Sequence, residues 1–287
     1  MNAFSISAEF FPPRDIPARE RLLRAAKTLM GSGIEFISVT FGAGGSTQLG
    51  TVQTVESLYR LGFEVVPHLS CIGSSREDLV ALLNYYKKIG VRRLVVLRGD
   101  IPSGMGAYEG PMRYARDLVL FIRERYGSYF HIYVAAYPEM HPEAESFNED
   151  LEHYALKVQA GANAAITQYF FHAAAYEDFL ERCVQRGVRI PLIPGIMPIT
   201  NAKQIVRFSK MCGADVPRWI RLRLQDFGED RRSIRAFGID VATKLCADLL
   251  DLGAPGFHFY ALNQAEATLA VMRNLGLLTL PRAVAIA

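Results

Sequence analysis

The sequence predicts a single (β/α)8 barrel, and three observations predict it. Strand-like and helix-like patterns alternate from end to end in eight β–α pairs joined by short connections. The chain has 287 residues, 50% of them hydrophobic, a length that one α/β barrel uses as a single domain, here residues 1–287. Six strands in succession end in a polar side chain on the side where barrel active sites lie.

Each element has its own signal. Phe4 to Ala8 alternates as a strand, which delivers Glu9 and stops near Phe11, because Pro12 and Pro13 cannot donate to a ladder. Asp15 and Pro17 start a helix with Leu22, Leu23, Ala26, Leu29 and Met30 on one face, closed by Gly31 and Gly33. Strands follow at Phe36–Thr40, Glu64–Leu69, Arg93–Arg98, His131–Tyr137, Ala164–Gln168, Ile190–Ile196 and Phe257–Tyr260. Pro67 is an unusual residue for the interior of the third. Helices are expected at Gln48–Leu61, Glu77–Ile89, Met112–Tyr126, Asn148–Gln159, Tyr176–Arg186, Asn201–Met211 and Gln264–Leu275. A Gly/Pro-rich loop spans Gly99–Pro111. Between strands seven and eight, Gly213–Gly253 adds an extra helical segment with the charged turn Asp226–Asp230 and one long helix.

Strand alternation sorts the side chains. If Glu9 points into the barrel mouth, so do Ser7 and Ser5 below it, while Ala8, Ile6 and Phe4 face the helices. The same register sets Thr40, His68, Arg98, Tyr137 and Gln168 at the mouth on strands two to six, above inward Val66, Val96, Ala135 and Ile166. One polar strand end is ordinary; six together point to a site. Glu9 lies among aromatics, where burial raises a carboxyl pKa.

Composition excludes several classes. A net charge of +3 with dispersed basic residues argues against a nucleic-acid partner. No apolar run is long enough for a bilayer, and the N-terminus lacks the pattern of a signal peptide. The four cysteines are scattered without a C-x-x-C, which fits a reduced, cytoplasmic compartment and no zinc site. The six histidines show no metal spacing; His131 and His172 read as surface residues and His258 as packed in the last strand. Gly42–Thr47 is neither a G-x-G-x-x-G nor a P-loop, though its backbone could approach a ligand closely. Lys157 and Lys203 fall on helices, against a Schiff-base aldolase.

Several motifs together carry a family resemblance. They are Ala8-Glu9-Phe10-Phe11-Pro12-Pro13, Ser38 to Ser46, Pro67 to Cys71, Leu97-Arg98-Gly99-Asp100-Ile101-Pro102 and Ala135 to Ala144. Further along come Ala160-Gly161-Ala162-Asn163, Ile166 to Phe171, Pro194 to Pro198 and His258 to Asn263. In that order and over essentially the full length, the chain resembles the methylenetetrahydrofolate reductases, in their short bacterial form without a regulatory domain.

The resemblance implies a TIM barrel with non-covalent FAD, reduced by NADH or NADPH, which in turn reduces 5,10-methylenetetrahydrofolate to 5-methyltetrahydrofolate in ping-pong fashion. It implies a place in one-carbon metabolism and methionine biosynthesis, and a homo-oligomer. Carried over by motif, Glu9 is the general acid and Asp100 lies by the flavin and pterin. Thr40, Phe41, His68, Arg98, Gly99, Asp100, Tyr114, Ala115, Tyr137, His141, Ala144, Asp150, His153 and Lys157 match cofactor-binding positions. Arg98, His141 and Lys157 would meet the diphosphate. Thr40, Asp100, Gln168, Gln204, Phe208 and Gln264 match substrate-binding positions. Two residues depart from the family pattern. Leu156 replaces a basic residue used toward FAD, and Gln264 an arginine placed near folate's glutamate tail. Two readings stay beside this one: a flavin-independent pterin-binding methyltransferase barrel and a non-catalytic folate-binding relative.

Overall fold

Ser5, Ser7 and Glu9 alternate with Ile6, Ala8 and Phe10 along β1 (Ser5–Phe10), and the two sets separate in space. Ile6, Ala8 and Phe10 are buried in the layer between strands and helices, as a two-residue period requires. The computed structural model describes residues 4–41, 45–99 and 112–278, with side chains except at 45–48.

The remaining elements follow in alternation: α1 (Ile16–Leu29), β2 (Phe36–Val39), α2 (Gly45–Arg60), β3 (Glu64–Ser70), α3 (Arg76–Lys88), β4 (Arg93–Leu97) and α4 (Ala115–Tyr126). Then come β5 (His131–Ala136), α5 (Phe147–Gln159), β6 (Ala164–Tyr169), α6 (Ala173–Gln185), β7 (Leu192–Ile196) and α7 (Ala202–Cys212). The chain continues through α8 (Arg218–Phe227), α9 (Arg231–Asp251), β8 (Gly256–Tyr260) and α10 (Glu266–Asn274). The eight strands are parallel and close in sequence order, β8 pairing with β1. This is the (β/α)8 barrel the sequence predicts. Pro67 is accommodated inside β3, opposite Val39 of β2.

Helix starts obey their caps. Asp15 accepts the Ala18 N–H at 2.6 Å, Ser75 that of Asp78 at 3.0 Å, and Asn201 that of Gln204 at 2.9 Å. Helices α2 and α6 begin at Gly45 and Ala173, three residues earlier than their periodicity suggests. The extra segment before β8 contains two helices rather than one: α8 precedes the long α9, and Gly228 with the Asp230 cap separates them. Both pack with α7 on a second apolar cluster that includes Ile220, Leu224, Ile234 and Tyr169.

One strand faces the opposite way from its expected register. In β4 the inward residues are Val95 and Leu97, and Val96 belongs to the strand–helix layer. The reason is the ladder: partners directly opposite share a face, His68 pairs with Val95, and Val95 pairs with Tyr133. Counting back from Arg98 misjudged the parity, because Arg98 lies past the strand end. Its side chain leaves on the helix side of the mouth.

Candidate active site

The inward alternation of four strands, β1, β3, β6 and β8, brings Glu9, His68, Gln168, His258 and Tyr260 around a central cavity of about 230 Å³, with Thr40, Phe41 and Tyr137 at its edge. Glu9 Oε2 lies 3.4 Å from His68 Nε2 and 3.6 Å from His258 Nε2. His258 is 1% exposed and His68 5%. Below them Ser7 Oγ meets His258 Nδ1 at 2.7 Å. If Ser7 donates to Nδ1, the ring hydrogen sits on Nε2, directed at Glu9.

The environment of Glu9 differs from the expected aromatic one. Phe10 points into the strand–helix layer, and Phe11 is 42% exposed, so neither walls in the carboxylate. Burial pushes the Glu9 carboxyl up, but contact with His258 and the fields of both imidazoles outweigh it and hold the group below its ordinary value. The expectation of a raised pKa is therefore corrected for the open cavity. Burial pushes the His68 imidazole down to about 4, against the pull of Glu9.

A second cavity of about 480 Å³ adjoins the first, sharing Phe41, Leu97, Ala135 and Tyr137 with it. It runs outward between the ends of β3 to β5 and helices α4 and α5. Arg98, Gly99, Tyr114, Ala115, His141, Ala144, Asp150, His153 and Lys157 line it. Asp150, His153 and Lys157 recur on one face of α5, at spacings of three and four. Arg98 forks onto the Glu143 carboxylate at 2.6 and 2.7 Å. Lys157 donates to the Ala135 carbonyl at 2.6 Å, and burial lowers its pKa to about 8. Asp150 accepts the His141 N–H at 2.9 Å, and burial raises its carboxyl. Tyr114 and His153 stack at 5.4 Å. Gly99 has φ +87°, and a Cβ there would sit 2.0 Å from Ser70 Oγ, so only glycine serves this turn.

Some predicted residues stand apart from both cavities. Gln204 and Phe208 lie on α7, where Phe208 packs on the second apolar cluster. Gln264 follows β8 and accepts from Arg235 Nη2 at 3.3 Å, so a guanidinium stands beside this departure. Leu156, one residue from Lys157, is turned about 100° away round the helix and lines neither cavity. Asp100, most of the Gly99–Pro111 loop and residues 42–44 of the glycine-rich loop lie outside the described residues. Sequence reading missed His258 and Tyr260. The alternation used for strands one to six, extended to β8, puts both inward. Among the described residues no histidine, cysteine and carboxylate cluster could hold a metal ion, and no helix is long and apolar enough to cross a membrane.

Comparison with known proteins agrees along the chain. A family model described as "Methylenetetrahydrofolate reductase" matches residues 1–276. The 5,10-methylenetetrahydrofolate reductase of Salmonella typhimurium is 39% identical over 273 residues, covering 95% of this chain and 90% of that protein. The Escherichia coli enzyme of that name is 38% identical with the same coverage. An Arabidopsis thaliana protein named methylenetetrahydrofolate reductase (NADH) 1 is 34% identical, matching 96% of this chain but 48% of its own length. An uncharacterized Clostridium thermocellum protein, described as binding two copies of 5-methyl-5,6,7,8-tetrahydrofolic acid, superposes with a TM-score of 0.68. It covers 95% of this chain and 94% of its own at 15% identity, which speaks for the fold alone. With its barrel, its motifs and these relatives, the chain belongs to the methylenetetrahydrofolate reductase family.

Proposed function

We propose that this protein reduces 5,10-methylenetetrahydrofolate to 5-methyltetrahydrofolate, with a nicotinamide as reductant and FAD as the carrier between them. One observation carries the reading: a half-buried carboxylate between two imidazoles faces a cavity that adjoins a longer one lined by aromatic rings and by the cations Arg98, Arg116 and Lys157, with Glu143, Glu149 and Asp150 among them. The first suits proton transfer to a small substrate, the second an extended anionic dinucleotide.

The larger cavity fits FAD. Arg98, His141 and Lys157 would hold the diphosphate, and Tyr114 with His153 offers a stacked surface. Bound there, FAD would supply hydride transfer between the nicotinamide and the one-carbon bridge. The protein's own task is the proton. A nitrogen of the substrate's five-membered ring must be protonated before its bond to the bridging carbon breaks, leaving a reactive iminium. Glu9 supplies that proton. In the open cavity Glu9 is held ionised; a substrate covering it removes the remaining water and shifts the carboxyl upward. The His258–Ser7 pair beneath fixes the imidazole so that its Nε2 faces the Glu9 carboxyl and orients it. Gln168 faces the same cavity, where its carboxamide can read a pterin edge. Gln204, Phe208 and Gln264 are assigned to the outer part of the substrate. The proposal includes a cytoplasmic homo-oligomer, as in the short bacterial enzymes it resembles.

Protein purified and then denatured should release intact FAD, identified by mass. Anaerobic NAD(P)H should bleach the flavin, and methylenetetrahydrofolate should restore its absorbance with 5-methyltetrahydrofolate as product. A colourless protein unchanged by added FAD, or release of FMN alone, contradicts the proposal. Asp100, assigned by motif to folate binding and flavin tuning, gives a further check. Asp100→Asn should leave reduction by NAD(P)H intact or easier and lower folate turnover; unchanged folate kinetics would refute its role.

A further inference from the structure

The loop after β8 contains two successive non-glycine residues in the left-handed region, Leu262 at φ +51° and Asn263 at φ +58°. Such a pair is costly and persists only where its surroundings hold it. What Asn263 gains is a two-pronged contact with β1's exit. Its Oδ1 accepts the Phe11 N–H at 2.9 Å, and its Nδ2 donates to the Phe11 carbonyl at 2.9 Å.

The contact sits where the sheet runs out. Pairing of β1 with β8 ends at Glu9 opposite Tyr260. On the other side, Thr40 N–H still reaches the Phe10 carbonyl at 2.9 Å. Alternation then turns both peptide groups of Phe11 toward β8, which has already ended. Pro12 and Pro13 follow, so the chain beyond has no N–H with which to continue a ladder. The Asn263 carboxamide, a side-chain copy of a peptide group, fills the missing rung.

We propose that Asn263 is a positioning residue for the reaction, its carboxamide extending the β1–β8 ladder by one rung and so fixing the direction of the Glu9 carboxylate. The inference rests on Glu9 being the acid, as proposed above. Glu9 lies two residues before the clasped peptide, and its separations of 3.4 and 3.6 Å from the imidazoles leave little tolerance for a strand end that frays. Leu262 packs on the second apolar cluster and anchors the clasp from behind.

The test compares Asn263→Gly, Asn263→Ala and Glu9→Gln in the flavin-loaded protein. Glycine removes the carboxamide while relieving the positive φ; alanine removes it and keeps the strain, so it should be the less stable of the two. Both Asn263 variants should show normal flavin reduction by NAD(P)H. Reoxidation by methylenetetrahydrofolate should slow about 10- to 100-fold, as expected for a misplaced reacting group. In cofactor-free protein the Phe11 amide should exchange its hydrogen faster in both variants. Unchanged reoxidation, or an equal loss in both half-reactions, overturns the inference. If Glu9→Gln slows reoxidation and Asn263→Gly does not, the clasp alone is wrong. If Glu9→Gln has no effect, the reading beneath it fails, and the clasp with it.

Discussion

Lys157 is a buried cation in the wall of the larger cavity, with its ammonium on the Ala135 carbonyl and its pKa lowered to about 8 by burial. An anionic diphosphate beside it would restore the charged form, so FAD binding near pH 8 should take up protons. Calorimetry in buffers of different ionisation enthalpy measures that uptake. Lys157→Met should abolish it and weaken FAD by roughly 10- to 150-fold, the worth of one charge-assisted hydrogen bond. His68 makes the opposite kind of statement, about the fold itself. Its imidazole titrates near 4 in the folded protein and near 6.5 when exposed. Between those values the unfolded chain binds a proton that the folded chain refuses, so stability falls as pH drops from 6.5 toward 4. Glu9, held below its ordinary 4.5, adds its own loss at still lower pH. Thermal midpoints measured across that window should slope downward, and His68→Gln should flatten the upper part of the slope. At this scale the sequence disclosed that Glu9, His68 and Gln168 converge, but not that His258 and Tyr260 join them, nor the protonation of the group. Phe10 adjoins Glu9 in the chain yet points away from it, and Phe11 stays largely exposed, whereas His258 is far off in sequence and lies 3.6 Å from the carboxylate.

Helix α9 shows how an element outside the eight-fold repeat is held. Its Gly238 lies against the chain after β7, where a Cβ would stand 1.9 Å from the Ile199 carbonyl oxygen. Gly238→Ala therefore forces backbone apart and should cost about 3 kcal/mol, the upper end for overpacking. Because α7 and α9 share the cluster containing Ile199, Ile205 and Ile234, the variant should also weaken folate binding through α7 while sparing flavin content. Denaturant melts and folate titrations measure the two effects. Element boundaries were legible where a cap marks them, as at Asp15 and Asn201. Glycine and helix-period ambiguity hid others: α2 starts on a glycine, and α8 was merged into its surroundings because Arg218–Phe227 is short and strongly charged. The inverted face of β4 was illegible for a geometric reason. Parity must be counted from a ladder partner, and a single sequence does not state the register.

The whole molecule is a closed ring of eight strands with chemistry at one end and structure at the other. At the far end Arg93 bridges Glu35, at 2.5 Å, and Glu64, at 3.8 Å, and lies over the Phe36 ring, closing the barrel floor. Above that floor, Phe36, Val66, Val95, Tyr133, Ile166 and Ile193 fill the interior, so ligands meet only the upper rim. The ring itself was readable from the alternation of periods two and 3.6, and the polar strand ends pointed to the rim where both cavities lie. The separation of that rim into a central cavity at Glu9 and an outer cavity reaching Lys157 was implied only by the family resemblance and not by strand alternation, because it depends on where side chains leave the strand ends. That separation is the central claim, and one measurement addresses it. In stopped-flow experiments, Glu9→Gln should leave reduction of the flavin by NAD(P)H at the rate of the unmodified protein. Its reoxidation by methylenetetrahydrofolate should slow about a hundredfold to ten-thousandfold, the usual contribution of a general acid. If both half-reactions slow together, or if neither does, Glu9 is not the proton donor and the account of the central cavity is wrong.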